Sequence, residues 1–181
     1  MRRRKAEGPF PEGAFGCMGP RGAQAPVVQP FVSTVVNKLD AKGRVSIPAS
    51  FRQILAQQNM RGVYCIPSFV SPALEAFGDT LLAEFQERLR KYDPLFSDDY
   101  DAQAQAVLGS TQFLNFDDEG RVHIPDEFIA HAGITERVTF IGLDRKFQMW
   151  DPVRFEPIQR ERIARARVLR LGGGSPTGGG T

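Results

Sequence analysis

Two aspartate–arginine pairs, each four positions apart, are the side chains best suited to bind something: Asp40 with Arg44, and Asp117 with Arg121. Both sit in the pattern D-x-x-G-R-V-x-I-P-x-x-F, which runs from Asp40 to Phe51 and again from Asp117 to Phe128. The copies lie 77 positions apart and agree at seven positions, which marks two copies of one supersecondary unit. The chemistry on offer is recognition rather than bond-making. A guanidinium held by a carboxylate presents a planar fork of donors that suits a phosphate or a guanine edge. The same pairs also suit a purely structural task, because charged turn residues are common. Both roles fit the residues.

The elements that must position these pairs follow from turn chemistry. Asp favours the first position of a type I turn, and Gly tolerates the left-handed conformation three residues later. Each copy therefore reads as a three-residue hairpin with a bulge at Gly43 or Gly120. The bulge sets Asp40 opposite Gly43 and Arg44, close enough for the two charges to pair across the strands. Beyond the turn, Arg44 and Ser46 face one way while Val45 and Ile47 face the core. Pro48 and Pro125 end the strands, since proline cannot donate to a ladder. Short helices are expected over roughly 49–58 and 126–132.

The repeat extends past the motif. Phe31 to Leu39 leads into the first hairpin as a strand, and Val63–Ile66 and Leu74–Phe77 read as two more. Val138–Ile141 and Phe147–Trp150 are their counterparts in the second half. Between the halves, Leu81, Leu82, Phe85 and Leu89 recur at helical spacing from Asp79 to Tyr92, and a second helix is expected over Asp98 to Leu108. Both are read as packing helices with solvated acidic faces. The resulting organisation is a Gly/Pro/Ala-rich leader over 1–30, a first half over 31–78 and a helical insertion over 79–107. A second half follows over 108–151, then a basic helix over 152–171 carrying Arg160, Arg162, Arg165, Arg167 and Arg170, and a flexible end over 172–181.

The formal net charge of +2 hides an asymmetry. Residues 31–155 carry 13 basic and 17 acidic side chains, so a uniformly basic nucleic-acid footprint is absent. Within them, 31–62 has five basic residues against Asp40 alone, whereas 71–107 has three against eight acids. Positive charge is concentrated around the first hairpin and in the tails. Cys17 and Cys65 suggest neither a disulfide framework nor a metal site, and Cys65 is expected to be a buried hydrophobe. No cofactor is expected. His123 and His131 are the only histidines, and neither belongs to a repeated catalytic pair. Without a nucleophile elbow, a phosphate loop or an acid–base constellation, an enzyme is disfavoured. No apolar run approaches a membrane span and no signal-peptide pattern follows the basic start, so the cytoplasm is the expected location.

The stretch Asn37-Lys38-Leu39-Asp40-Ala41-Lys42-Gly43-Arg44, with the Val-x-Ile-Pro-x-x-Phe-Arg ending at Arg52, closely resembles the MraZ family. That family consists of bacterial transcription regulators encoded at the head of the division and cell-wall gene cluster, within the wider AbrB-like group of swapped-hairpin DNA-binding proteins. His131-Ala132-Gly133-Ile134 and Phe147-Gln148-Met149-Trp150 are similar to its second half. The resemblance implies an α+β fold of tandem AbrB-like swapped-hairpin halves that form a pseudo-twofold β-barrel with peripheral helices. It also implies a homo-oligomeric ring, nucleoid-associated, whose hairpins line up on repeated boxes in promoter DNA. The DNA contacts it implies are Arg44 and Arg121, supported by Asp40, Gly43, Asp117 and Gly120, with Lys42 at the first tip and Lys38 and Asn37 as secondary candidates. Strand alternation puts Asn37 and Lys38 on opposite faces, so they cannot serve equally. The second tip has Asp118-Glu119 where the first has Ala41-Lys42, which makes the first hairpin the expected main reader. An antitoxin-like or scaffolding module that binds protein is the alternative, favoured somewhat by the net acidity between the tails.

Overall fold

The computed structural model describes residues 29–171. The expected flexible end over 172–181, and the expected leader apart from Gln29 and Pro30, lie outside the described residues. Eight strands and five helices follow one another in the described chain: β1 (Thr34–Lys38), β2 (Arg44–Ser46), α1 (Ala49–Gln57), β3 (Gly62–Pro67), β4 (Leu74–Phe77), α2 (Asp79–Leu89), α3 (Asp98–Val107), β5 (Gln112–Asn115), β6 (Arg121–His123), α4 (Asp126–Ala132), β7 (Arg137–Leu143), β8 (Lys146–Trp150) and α5 (Pro152–Leu171). The fold class is α+β. An antiparallel sheet takes six strands in the order β1-β7-β8-β4-β3-β5, and β2 and β6 form a separate two-stranded ribbon.

Exchange of each first-half strand with its counterpart, β1 with β5, β3 with β7 and β4 with β8, reverses that order without changing it. The chain thus interlaces: β1 pairs with β7 of the second half, and β5 pairs with β3 of the first. The expected closed barrel is not formed, however. Among the described residues β1 and β5 are the edges of the six-stranded sheet, because each hairpin opens immediately after its turn. Asp40 N–H donates to Arg44 C=O at 2.8 Å and Leu39 bridges Val45. From there β1 goes to β7 while β2 goes to β6. The ribbon strands β2 and β6 are three residues long each. Their pairing is extended at both ends by Ile47 N–H to Gly120 C=O at 3.1 Å and Ile124 N–H to Gly43 C=O at 2.9 Å.

The core explains why the ribbon forms. Val45, Ile47 and Phe51 from the first motif and Val122, Ile124 and Phe128 from the second are all buried in one cluster with Val138, Phe140, Phe147 and Met149. Burial of each such side chain stabilises the fold by roughly 1.5–3 kcal/mol. Alternation along β2 and β6 delivers these residues inward only if the two strands lie side by side over the sheet. Phe31 anchors the start of the chain, with ring centroids 5.4 Å from Phe51 and 5.2 Å from Phe147 in edge-on contact. The halves share one core.

The helices begin where the prolines end the strands: Phe51 and Arg52 N–H donate to Pro48 C=O, and Phe128 and Ile129 N–H donate to Pro125 C=O. The insertion helices pack less than their periodicity suggests. Leu89 is buried, but Leu81, Leu82 and Phe85 line an open apolar groove of about 420 Å³ together with Phe69, Phe77 and Leu143, and α3 buries no residue. α5 is fastened at its start by Trp150, Phe155 and Ile158, and Arg162 stacks 5.4 Å from the Trp150 ring. Cys65 is buried, and burial pushes its thiol up.

Candidate nucleic-acid interface

The ribbon that joins the halves also carries the charged pairs. Its register sets Arg44 opposite His123, Val45 opposite Val122 and Ser46 opposite Arg121. Directly opposed residues share a face in an antiparallel pair. Val45 and Val122 take the inner face and are fully buried. Arg44, Ser46, Arg121 and His123 are therefore left on the outer face, with His123 exposed and the other three half-buried. A two-stranded ribbon is narrow enough to enter the B-DNA major groove.

Each hairpin turn is held by its aspartate. Asp40 Oδ1 accepts from Lys42 N–H and Arg44 N–H, both at 2.9 Å. Its Oδ2 receives Arg44 Nε and Nη2, both at 2.8 Å. The backbone N–H of Arg44, followed by its guanidinium, holds the Asp40 carboxyl down at about 2. Asp117 repeats the arrangement: Oδ1 accepts from Glu119 N–H at 3.0 Å and Arg121 N–H at 2.9 Å, and Oδ2 accepts from Arg121 Nε at 2.8 Å. Its carboxyl is likewise lowered, first by the Arg121 N–H. Gly43 and Gly120 both have φ of +71°, the left-handed conformation the turn requires. One carboxylate thus fixes both the turn and the direction of the guanidinium.

The copies differ in how the arginines are held. Among the described residues Arg44 pairs with Asp40 alone, whereas Arg121 also places Nη1 2.7 Å from Glu119 Oε2. Hydrogen bonding to Asp117, with the charges of Glu119 and Asp40 adding, raises Arg121 further. Each guanidinium engages two of its three nitrogens, so the copies differ in charge: Arg44 faces one carboxylate and Arg121 faces two. Lys42 is exposed at the first tip and Lys38 is exposed on β1. Asn37 is drawn away from the surface: its Nδ2 donates to Ser46 C=O at 2.7 Å and bridges the arms of the hairpin where they part.

Two polar residues reach the hairpins from the opposite half. His123 lies against the first tip, so that a Cβ at Gly43 would stand 3.5 Å from its Nε2. Arg52, on α1, lies over the second tip, where a Cβ at Gly120 would fall 2.5 Å from its Cζ and 2.8 Å from its Cδ. Sequence reading treats each hairpin as self-contained and gives neither residue a part. The available signal was the mismatch between copies, where Ser46 answers His123 and Ile129 answers Arg52. Among the described residues no cluster of His, Cys, Asp or Glu could hold a metal ion, and no helix is long and apolar enough to cross a membrane.

Comparison with known proteins agrees with the two-motif reading. Residues 107–168 match the family model described as "MraZ protein, putative antitoxin-like". The chain is 45% identical over 145 residues to the transcriptional regulator MraZ of Xanthobacter autotrophicus, an alignment covering 80% of this chain and 92% of that one. It is 43% identical over 148 residues to the protein of the same name from Azorhizobium caulinodans, covering 82% and 94%. The corresponding protein of Beijerinckia indica is 44% identical over 140 residues, covering 77% and 85%. With both arginine motifs on one ribbon and relatives of this similarity along nearly their full length, the chain belongs to the MraZ family.

Proposed function

We propose that this protein is a sequence-specific, non-enzymatic DNA-binding transcriptional regulator, cytoplasmic and nucleoid-associated, that acts on promoter repeats of the division and cell-wall gene cluster. The observation that carries this reading is the outer face of the ribbon, where Arg44 is oriented by Asp40 with part of its fork to spare. Such a fork matches guanine O6 and N7 in the major groove. Arg44 and Lys42 are the main contacts, Arg121 is a secondary one, and Lys38 reaches the backbone from β1. Asn37 serves the hairpin instead. The names of the relatives support the regulatory role.

The functional form is a homo-oligomeric ring built on pseudo-twofold, swapped-hairpin halves, which lines up one ribbon per subunit on successive boxes. Linkage of weak sites multiplies affinity without new contacts. Exposed Phe69, Leu95 and Phe96 support self-association, since a lone chain leaves these large apolar side chains in water. A second reading, a protein-binding module, is favoured by the antitoxin-like description of the matched family and by the acidic insertion.

A titration against duplex DNA bearing repeated boxes, with wild type and Arg44→Ala over a salt series, separates the two. The expected result is a steep fall of affinity with salt and loss of box preference in the variant. Salt-independent binding, or a variant that binds like wild type, sinks the DNA reading.

A further inference from the structure

The second hairpin looks poorly made for DNA, with Asp118 and Glu119 at its tip and Arg121 engaged by two carboxylates. The first half supplies what it lacks. Arg52 Nε donates to Ile47 C=O at 3.2 Å, and Ile47 N–H donates in turn to Gly120 C=O at 3.1 Å. Ile47, which ties the ribbon together through its N–H, therefore also orients the Arg52 guanidinium through its C=O and seats it on Gly120, the residue between Glu119 and Arg121. The seat exists only because residue 120 has no side chain. Arg52 is half-buried rather than enclosed, and among the described residues it forms no ion pair. At the equivalent place in the first hairpin stands Ile129, whose Cδ1 would be 3.5 Å from a Cβ at Gly43. That hairpin brings its own Lys42 and needs no borrowed cation.

We infer that Arg52 is a phosphate-contacting residue of the second hairpin, supplied across the halves, so that the ribbon has a cation beside each tip. The inference rests on the ribbon being the DNA-binding face. Its chemistry is a guanidinium aimed at a backbone phosphate: it adds affinity on any sequence and helps register, while Arg44 reads the boxes. Arg121 remains oriented by Asp117, and Arg52 offsets the two carboxylates at the tip.

The test uses full-length protein and fluorescence anisotropy on two duplexes, one with repeated boxes and one scrambled. Arg52→Gln keeps a long polar side chain but removes the charge. It is expected to weaken binding to both duplexes by the same factor. The slope of log affinity against log salt should become shallower by about 0.9 per engaged subunit, as loss of one phosphate contact requires. Arg52→Lys should restore most of that slope, although it breaks the Nε bond to Ile47. An unchanged slope in Arg52→Gln overturns the inference, and so does a lower melting temperature with the slope intact, because a merely structural role does only that. If Arg52→Gln does not fold, Arg52→Met is read in its place: a shallower slope supports the phosphate role and a wild-type slope overturns it. Arg44→Ala runs alongside. If it too binds like wild type, the ribbon itself is not the DNA face; if it loses box preference while Arg52→Gln changes nothing, only the assignment of Arg52 fails.

Discussion

The two turn glycines are matched in conformation and unmatched in surroundings, so the same substitution at each should give different losses. Alanine at Gly43 or Gly120 must hold φ near +71°, which costs an L-residue roughly 1–2 kcal/mol. At Gly43 that strain is the whole effect, because the new Cβ stands 3.4 Å from Ile124 O and 3.5 Å from His123 Nε2 and Ile129 Cδ1. At Gly120 the Cβ falls 2.5 Å from Arg52 Cζ, so the guanidinium must leave its seat and its hydrogen bond to Ile47 is lost. A bond of this kind is worth about 1 kcal/mol, which brings the Gly120→Ala loss to about 2–3 kcal/mol. Denaturant titration at fixed protomer concentration, with equal m-values, reads the difference directly. A double-mutant cycle isolates its cause: with Arg52 already replaced by Ala, Gly120→Ala should cost no more than Gly43→Ala does. Equal losses in the two single variants, or a cycle with no coupling between positions 52 and 120, would refute the seating of Arg52 on Gly120.

Arg121→Ala should weaken DNA binding less than Arg44→Ala, because Arg121 is held by Asp117 and Glu119 while Arg44 is held by Asp40 alone; the reverse ranking in a paired titration shows that the second hairpin leads. Asp40 titrates at about 2 in the folded chain against 3.8 for the free group, so the stability it contributes is fully present above pH 3.8 and is lost as pH falls through about 2. Asp40→Asn should therefore flatten the acid side of the stability profile between those values, and a profile that superimposes on wild type refutes the ion pair. Mass photometry at micromolar concentration should show assemblies of many copies of the 20.1 kDa chain, and a monomer peak alone rules out the ring.

Much of the candidate site was legible because its determinants are local. Asp40, Gly43 and Arg44 lie within five residues, and a type I turn with a left-handed glycine leaves the carboxylate little choice but to cap the turn and meet the guanidinium. Alternation placed Val45 and Ile47 inward, and Pro48 and Pro125 announced α1 and α4. Where each hairpin arm goes after its turn is a different kind of question. β1 pairs with β7, about a hundred residues away, and β2 pairs with β6, 77 positions on, because one core can bury both motif faces only when the halves interlace. Period-two patterning tells which side of a strand is wet but not which partner it takes, so the barrel expected from resemblance gave way to an open sheet and a separate ribbon. The same non-local pairing set His123 across from Arg44 and laid Arg52 on Gly120. The shape and chemistry of each hairpin follow from its own dozen residues; which residues of the other half stand beside it depends on the closed core, because those contacts do not exist before the halves interlace.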